Sequence, residues 1–190
     1  MTVHFNSASQ TGLSSSLDQD NPLATPSGIY RNGAKRTIDI LLIALTLPFV
    51  LPVLAIMAGF VMMDGHSPFY RQERVGRGGR HFSLLKIRTM VPNAKEKLEE
   101  YLASDPAARA EWDETQKLKS DPRITFAGRI LRKTSLDELP QLWNVLKGDM
   151  SLIGPRPMMP EQRALYPGQA YYELRPGITG SWQVSDRNEG

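Results

Sequence analysis

Hydrophobic positions along the chain separate a polar start from a long apolar run. Residues 1–27 are rich in Ser, Asn, Gln and Pro without a sustained apolar period, which predicts a disordered tail, assigned here to residues 1–30. This stretch lacks the cationic start and the apolar core of a signal peptide. Residues 40–63 then form an uncharged, mostly apolar run that is long enough to cross a bilayer. The pattern therefore predicts a membrane segment over 35–65, at the start of a domain over 31–190.

The flanks and the prolines of this run favour re-entry over a simple span. Lys35 and Arg36 precede the run, and further positive charges follow it at Arg71, Arg74, Arg77 and Arg80. The positive-inside rule therefore places both flanks in the cytoplasm. Pro48 and Pro52 lie near the middle, and half of the run as a helix measures about 18 Å, short of the roughly 30 Å hydrocarbon core. We therefore expect a helix-break-helix that enters and leaves at one membrane face.

Two other interpretations of the run stay open at this point. One is an ordinary spanning helix with a proline kink. The other is a core helix of a soluble protein, although an uncharged run of this length is hard to cover in one small domain. Asp39 lies just inside the apolar boundary, where an acid needs a partner, and Lys35 and Arg36 are the nearest candidates.

After the run, the pattern predicts a small domain that combines helices with one hairpin. Two β-prone runs flank a glycine-rich stretch over 76–79, and no Gly-Lys-Ser/Thr follows, which predicts a turn between strands rather than a Walker phosphate loop. Residues 93–119 are charged and helix-prone, with a break at Asp105-Pro106, and predict two amphipathic surface helices. Residues 171–190 are typical of loops and turns. The predicted fold class is α+β: a re-entrant membrane helix on a small, mostly helical cytoplasmic domain with a short β-hairpin.

The stretch from Ser135 to Pro157 carries the clearest candidate chemistry. Two adjacent carboxylates, Asp137 and Glu138, precede a short apolar helix that is expected to end at Lys147-Gly148. Ser, Asp and Glu are typical of helix starts, and Ser135 with Glu138 has the spacing of a capping box, so the helix is expected to begin at about 135–137. On this segment alone, the carboxylates are either a helix cap or a catalytic pair.

Composition removes several classes of function. Cysteine is absent, so the chain has no disulfide, no thiolate metal site and no cysteine nucleophile. The histidines are scattered without the spacing of metal ligands, which disfavours zinc: His4, His66 and His81. The net charge is only +3, from 23 basic and 20 acidic residues, and basic residues lie beside the membrane run. A nucleic-acid partner is therefore not expected.

A series of motifs runs through the chain in a fixed order. They are KRTIDI at the membrane entry, then RQERVG, FSLLKIRTM, SDPRITFAGRILRKTSLDELPQLWNVLKGDMSLIGPRP and RPGITGSWQVSDRN. From about Lys35 to Asn188 this series resembles the bacterial sugar transferase family, the monotopic phosphoglycosyl transferases. The whole series is far more specific than any single motif within it.

The resemblance implies a reaction, a location and roles for particular residues. It implies transfer of a sugar 1-phosphate from a UDP-sugar to undecaprenyl phosphate, with release of UMP, at the cytoplasmic face of a bacterial inner membrane. The reaction would initiate exopolysaccharide or other lipid-linked glycan synthesis. Asp137 would attack the phosphorus that carries the sugar and form an aspartyl phosphosugar, while Glu138 would hold Mg²⁺. Candidate phosphate-binding cations are Lys86, Arg88, Arg132, Arg156 and Arg175.

Two features depart from the family pattern. The break in the family's membrane helix is commonly Ser-Pro, whereas this chain has Leu51-Pro52. The break is therefore still expected, but without a serine hydroxyl to bond the freed backbone groups. Family members usually continue for some tens of residues beyond RPGITG, so we expect the C-terminal end of the domain to be incomplete.

The rival function is a membrane-anchored adaptor that recruits glycan-assembly enzymes without catalysis. The intact carboxylate pair beside basic residues disfavours this alternative, because an adaptor has no need of it. The transferred sugar is expected to be a hexose such as glucose or galactose.

Overall fold

The computed structural model describes residues 33–166 and 168–181. The predicted tail over 1–30, with His4, and the end of the last motif over 182–188 lie outside these residues. The chain divides into two compact units, Met1–Arg36 and Thr37–Gly190. Of the first unit only residues 33–36 are described, and Lys35 and Arg36 begin the first helix.

One long helix, a β-hairpin, five shorter helices and a short parallel strand pair make up the described chain. In order they are α1 (Lys35–Met62), β1 (Phe69–Val75), β2 (His81–Ile87), α2 (Ala94–Ser104), α3 (Pro106–Thr115), α4 (Phe126–Thr134), α5 (Gln141–Lys147), β3 (Ser151–Ile153), α6 (Ala170–Glu173) and β4 (Gly177–Thr179). Single 3₁₀ segments cover Arg77–Gly79, Leu136–Glu138 and Pro160–Leu165. This mixture of helix and sheet is consistent with the predicted α+β class.

Helix α1 is long and apolar enough to cross a membrane, by length and composition. It continues through Pro48 and Pro52 as one helix, so the predicted non-helical break is not present. Each proline removes one backbone donor, yet the residues on both sides of it are helical. One side of the helix also packs on the domain before and after the prolines, which holds both halves in helical geometry. The re-entrant topology stays a prediction.

Two buried clusters hold α1 against the domain. Near its start, Ile43 packs in a cluster with Leu84, Val145 and Met150. Near its end, Val61 packs in a second cluster with Ile87 and Leu131. Most of the remaining surface of α1 is exposed and apolar. The helix therefore joins the domain along one side and leaves an apolar surface on the other.

Polar contacts tie both ends of α1 to the same domain. Ser151 Oγ donates to Asp39 Oδ2 at 2.6 Å, so the buried Asp39 has a partner in β3 that the sequence does not reveal. Just beyond the helix, Arg88 donates to both carboxylate oxygens of Asp64 at 2.6 Å each, and to the Val61 carbonyl at 3.1 Å. The hydrogen bonds from Arg88 lower the pKa of Asp64 to about 2.

The predicted hairpin is present as the antiparallel pair β1 and β2. Its turn contains Gly78 and Gly79, both with positive φ, which glycine adopts without strain. The other edge of β2 is covered by a side chain of α5. Asn144 Oδ1 accepts from Leu85 N at 3.0 Å, and its Nδ2 donates to Ser83 O at 2.8 Å. The buried amide thus replaces a third strand and fixes α5 to the hairpin.

The break predicted at Asp105-Pro106 is confirmed. Asp105 ends α2 and caps α3, because its carboxylate accepts from the backbone N–H groups of Ala107 and Ala108 at 2.9 and 3.1 Å. Proline at the first position of α3 needs no intrahelical donor there.

The prediction of loop and turn structure near the C-terminal end was wrong in part, because α6 and β4 lie there. Strand β4 pairs in parallel with β3, with Ser151 opposite Gly177. A Cβ on Gly177 would lie 2.1 Å from Gly154 N, so the two backbones approach at a distance that only glycine allows. A parallel pair of three-residue strands leaves no local periodicity in the sequence to detect.

Candidate active site

The two adjacent carboxylates lie in the 3₁₀ segment Leu136–Glu138, between α4 and α5. Ser135 adopts a left-handed conformation with φ 57° and makes no side-chain cap, so the predicted capping box was wrong. Helix α5 starts later than predicted, at Gln141, and ends at Gly148 as predicted. The carboxylates of Asp137 and Glu138 are therefore not used as helix caps.

Glu138 is paired with a cation from the hairpin. Lys86 Nζ lies 2.8 Å from Glu138 Oε1, and both side chains are about one quarter exposed, at 26% and 23%. Lys86 stands opposite Tyr70 in the strand register, near the end of β2. Because both partners are only partly hydrated, water screens their Coulomb attraction less than it screens that of an ion pair at the surface.

Asp137 is buried beside this ion pair, with 8% of its surface exposed. Burial raises the pKa of Asp137 above its ordinary value, and Lys86 opposes that effect. The neighbouring Glu138 adds to the rise, while Arg132 opposes it. A poorly hydrated carboxylate near two cations is suited to attack an electrophile that brings negative charge of its own.

Arg132 reaches this site because α4 approaches the end of β2 closely. Its Nε donates to the hydroxyl of Thr89 at 2.8 Å. The helix can come this near because residue 128 is glycine: a Cβ there would lie 2.0 Å from Thr89 O. The same carbonyl accepts from Thr125 N at 3.0 Å, at the start of α4.

A cavity of about 660 Å³ opens in front of the carboxylates. This size lies within the range of small-molecule sites. The walls come from β1, the end of β2, the start of α2 and the segment around Arg123. The polar lining residues outside the carboxylate pair are Tyr70, Gln72, Lys86, Arg88, Thr89, Lys95, Arg123, Arg132 and Ser135.

The structure brings three of the five candidate cations to this cavity. Lys86, Arg88 and Arg132 line it, but the guanidinium of Arg88 is already bonded to Asp64 and to backbone carbonyls. Arg156 and Arg175 do not line it. Burial lowers the pKa of Arg74, and the nearby charge of Arg156 lowers it further, so Arg156 lies beside β1. Arg175 lines a separate cavity of about 440 Å³ at the hairpin turn.

Several lining residues were not predicted as site residues. Tyr70 and Gln72 lie on β1, and the two-residue period of the hairpin could have placed them on one face with Lys86. Thr89 and Arg123 carry no such signal, because their position depends on contacts between distant segments.

The carboxylate pair fits a magnesium ion that is shared with a substrate. Within residues 33–166 and 168–181, no group of three or more His, Cys, Asp or Glu side chains could hold a metal by itself. Mg²⁺ commonly uses one or two carboxylates and completes its shell with water and substrate phosphates. Asp137 and Glu138 offer such hard oxygen ligands at the cavity wall.

Known proteins of similar sequence cover this whole region. Residues 30–190 match the family described as bacterial sugar transferase. The chain is 55% identical to the UDP-galactose-lipid carrier transferase of Erwinia amylovora and 52% identical to the undecaprenyl-phosphate galactose phosphotransferase of Salmonella typhimurium, each over 157 residues. Each alignment covers 82% of this chain but 33% of the relative, so the chain spans about a third of their length. The chain is also 46% identical over 159 residues to the exopolysaccharide production protein ExoY of Sinorhizobium fredii, covering 82% of this chain and 70% of that relative.

Proposed function

The chain belongs to the bacterial sugar transferase family, and we propose that it transfers a sugar 1-phosphate from a UDP-sugar to undecaprenyl phosphate. The observation that carries this proposal is the buried Asp137 beside the Lys86–Glu138 ion pair, at the wall of a cavity of ligand size. The names of two relatives contain galactose, which supports a hexose donor. The name of a third supports a place in exopolysaccharide synthesis.

Asp137 is the proposed nucleophile. Its carboxylate attacks the phosphorus that carries the sugar, and the bond from that phosphorus to the bridging oxygen breaks with its electron pair going to UMP. An oxygen of undecaprenyl phosphate then attacks the same phosphorus and releases the carboxylate. Lys86 holds Glu138 in place and lowers the cost of keeping two carboxylates side by side.

Glu138 and Asp137 are the side chains that would hold Mg²⁺ in this proposal. The ion, when bound, supplies positive charge to the phosphate oxygens of the substrate. Two cations at the cavity then have separate roles: Lys86 orients Glu138, and Arg132 faces the incoming phosphates.

The contacts of α1 support attachment to one membrane face. Asp39 near its start and Val61 near its end both bond to the same domain. The ends of a spanning helix lie on opposite sides of a roughly 30 Å hydrocarbon core, where one small domain cannot hold both. We therefore assign both flanks of α1 to the cytoplasmic face of the inner membrane, with its exposed apolar side chains in the lipid.

The test is UMP release by the chain in nanodiscs, with a panel of UDP-sugars, undecaprenyl phosphate, and magnesium present or absent. Wild type with donor alone should release one UMP per active site and gain a sugar phosphate on the peptide that contains Asp137. Asp137→Asn should fold and release none. Asp113→Asn, an exposed acid of α3, is the matched control and should behave as wild type.

Two outcomes would overturn the proposal at different levels. No UMP from any donor by folded wild type would remove the transferase function and favour an adaptor. Turnover by Asp137→Asn, or failure to trap a modified peptide before acceptor is added, would replace the covalent mechanism by a single-step transfer.

A further inference from the structure

We propose that Arg123 and Arg132 together bind the phosphate that remains on the nucleoside, so that they hold the UMP leaving group. This inference rests on the proposed function and adds a subsite to the same cavity. Both side chains line that cavity together with Asp137. Arg132 stands close enough to influence Asp137 on one side and Asp121 on the other.

Arg123 is held rigidly by two neighbours. Its Nε donates to Asp121 Oδ1 at 2.8 Å and its Nη2 to Oδ2 at 2.6 Å, in a forked pair with side chains only 14% and 7% exposed. The guanidinium also lies over the ring of Trp112, 5.1 Å from its centroid. Its Nη1 makes no hydrogen bond to any residue that the structure describes. One donor group is therefore fixed in place at the cavity wall and left for a ligand.

Arg132 presents a larger set of open donors. Its Nε is fixed by the hydroxyl of Thr89, and within the described part of the chain its two terminal nitrogens bond to no other side chain or carbonyl. Two other cations at the wall are already engaged, because Lys86 pairs with Glu138 and Arg88 with Asp64, while the third, Lys95 of α2, is a lysine without a guanidinium fork. Arg123 and Arg132 are thus the lining arginines with donors to spare.

The local charge also favours an anion. Burial pushes the pKa of Asp121 upward, but hydrogen bonds from Arg123 and the charge of Arg132 hold it below its ordinary value. Asp121 is therefore ionised and cancels one of the two arginines. The cluster of Asp121, Arg123 and Arg132 retains one positive charge, which a phosphate can neutralise at close range.

This placement suits the chemistry of the first half-reaction. When Asp137 attacks the sugar-bearing phosphorus, the electron pair of the broken bond moves to the bridging oxygen and leaves on UMP. Charge therefore grows on the phosphate one oxygen away from the attacked phosphorus. Fixed guanidinium groups at that place stabilise the developing charge without reorganising.

The test measures UMP and uridine binding by calorimetry to the whole chain in nanodiscs. Arg123→Gln should weaken UMP binding about tenfold or more, as expected for the loss of a charge-assisted hydrogen bond, and leave uridine binding unchanged. Arg109→Gln is the matched control, an exposed arginine of α3 that also faces an aspartate, Asp113, and it should bind UMP as wild type does. If Arg123→Gln does not fold, Arg123→Lys keeps the charge without the fork and should still lose several-fold in UMP affinity.

Three results overturn the inference. The first is that wild type does not bind UMP, and the second is that wild type and the Arg123 variant bind UMP with equal affinity. The third is that the variant loses UMP and uridine binding to the same extent, which would show that Arg123 has a structural role. UMP release from the UDP-sugar by wild type is measured separately. If wild type releases UMP but the Arg123 variant binds UMP as well as wild type does, this subsite alone is refuted. If the variant binds UMP more weakly but wild type releases no UMP from any donor, the transferase function alone is refuted.

Discussion

The substitution Gly128→Ala should separate α4 from Thr89, which lies just after the end of β2. The new Cβ would lie 2.0 Å from Thr89 O and 2.8 Å from Thr89 C, whereas carbon and oxygen atoms pack at about 3.5 Å, so a gap of about 1.5 Å must open. Both of these atoms belong to the backbone, which cannot rotate away as the tip of a side chain does. The carbonyl of Thr89 would then also lose its bond from Thr125 N.

Two opposing effects set the change in the free energy of unfolding that Gly128→Ala should cause. Replacing glycine by alanine within a helix favours folding by about 1 kcal/mol. Overpacking of this kind costs about 1–3 kcal/mol, and the weakened Thr89–Thr125 bond about 1 kcal/mol more, so destabilisation should win by about 1–3 kcal/mol. Arg132 moves with α4, and a displacement of about 1 Å in a catalytic site can lower the rate about a hundredfold.

The assay compares urea unfolding and UMP release for Gly128→Ala and Gly59→Ala. Gly59 lies inside α1, and no atom outside the neighbouring backbone of this helix lies within 4 Å of its Cβ position, so this control should be neutral or slightly stabilising. Gly128→Ala should unfold at lower urea and release UMP far more slowly. If Gly128→Ala equals wild type in both measurements, the close approach of α4 to Thr89 does not position Arg132.

Three further predictions follow from single contacts. Thr89→Val removes the acceptor of Arg132 Nε and should raise KM for the UDP-sugar about tenfold, while Thr89→Ser stays near wild type; equal effects in steady-state kinetics would contradict this role. The ionised Asp64 stabilises the fold when the pH is above its ordinary pKa of 3.8, and this contribution is lost as the pH falls toward about 2. Asp64→Asn should therefore be less stable than wild type at neutral pH, and its stability should depend less on pH between these two values in acid unfolding experiments. Single cysteines at positions 34 and 67 should react with an impermeant maleimide from the same side of oriented membrane vesicles, and labelling from opposite sides would exclude re-entry.

Elements set by neighbouring residues could be predicted from the sequence. Asp105-Pro106 ends one helix and starts the next through a cap and a missing donor, both local effects. Gly148 ends α5 in the left-handed region for the same kind of reason. Ser135 shows the limit of local spacing: it has the sequence of a cap, but its positive φ turns the chain between α4 and the 3₁₀ segment instead.

The composition of the candidate site depends on contacts that spacing cannot reveal. Lys86 and Glu138 are 52 residues apart in sequence, and Arg132 and Thr89 are 43 apart. Motif order indicated that Asp137, Glu138 and these cations share a function, but the partner of each follows only from packing. Arg88 illustrates this limit. An arginine at this position is suited to bind a phosphate, but in the structure its guanidinium bonds to Asp64 just beyond the end of α1 instead.

Strand β2 gives the proposed reaction its geometry at the membrane. Lys86, which pairs with Glu138, is separated by one residue from Arg88, which donates to the carbonyl of Val61 in α1 and to the carboxylate of Asp64 beyond it. Between them, Ile87 packs against Val61 in a buried cluster. The height of the carboxylate pair relative to the apolar helix is thus fixed by the end of β2 and the residue that follows it, rather than by a flexible linker. The proposed acceptor is anchored in the bilayer by its lipid, so its phosphate stays at the lipid surface. The carboxylate pair must therefore be held at that same height for the two to react.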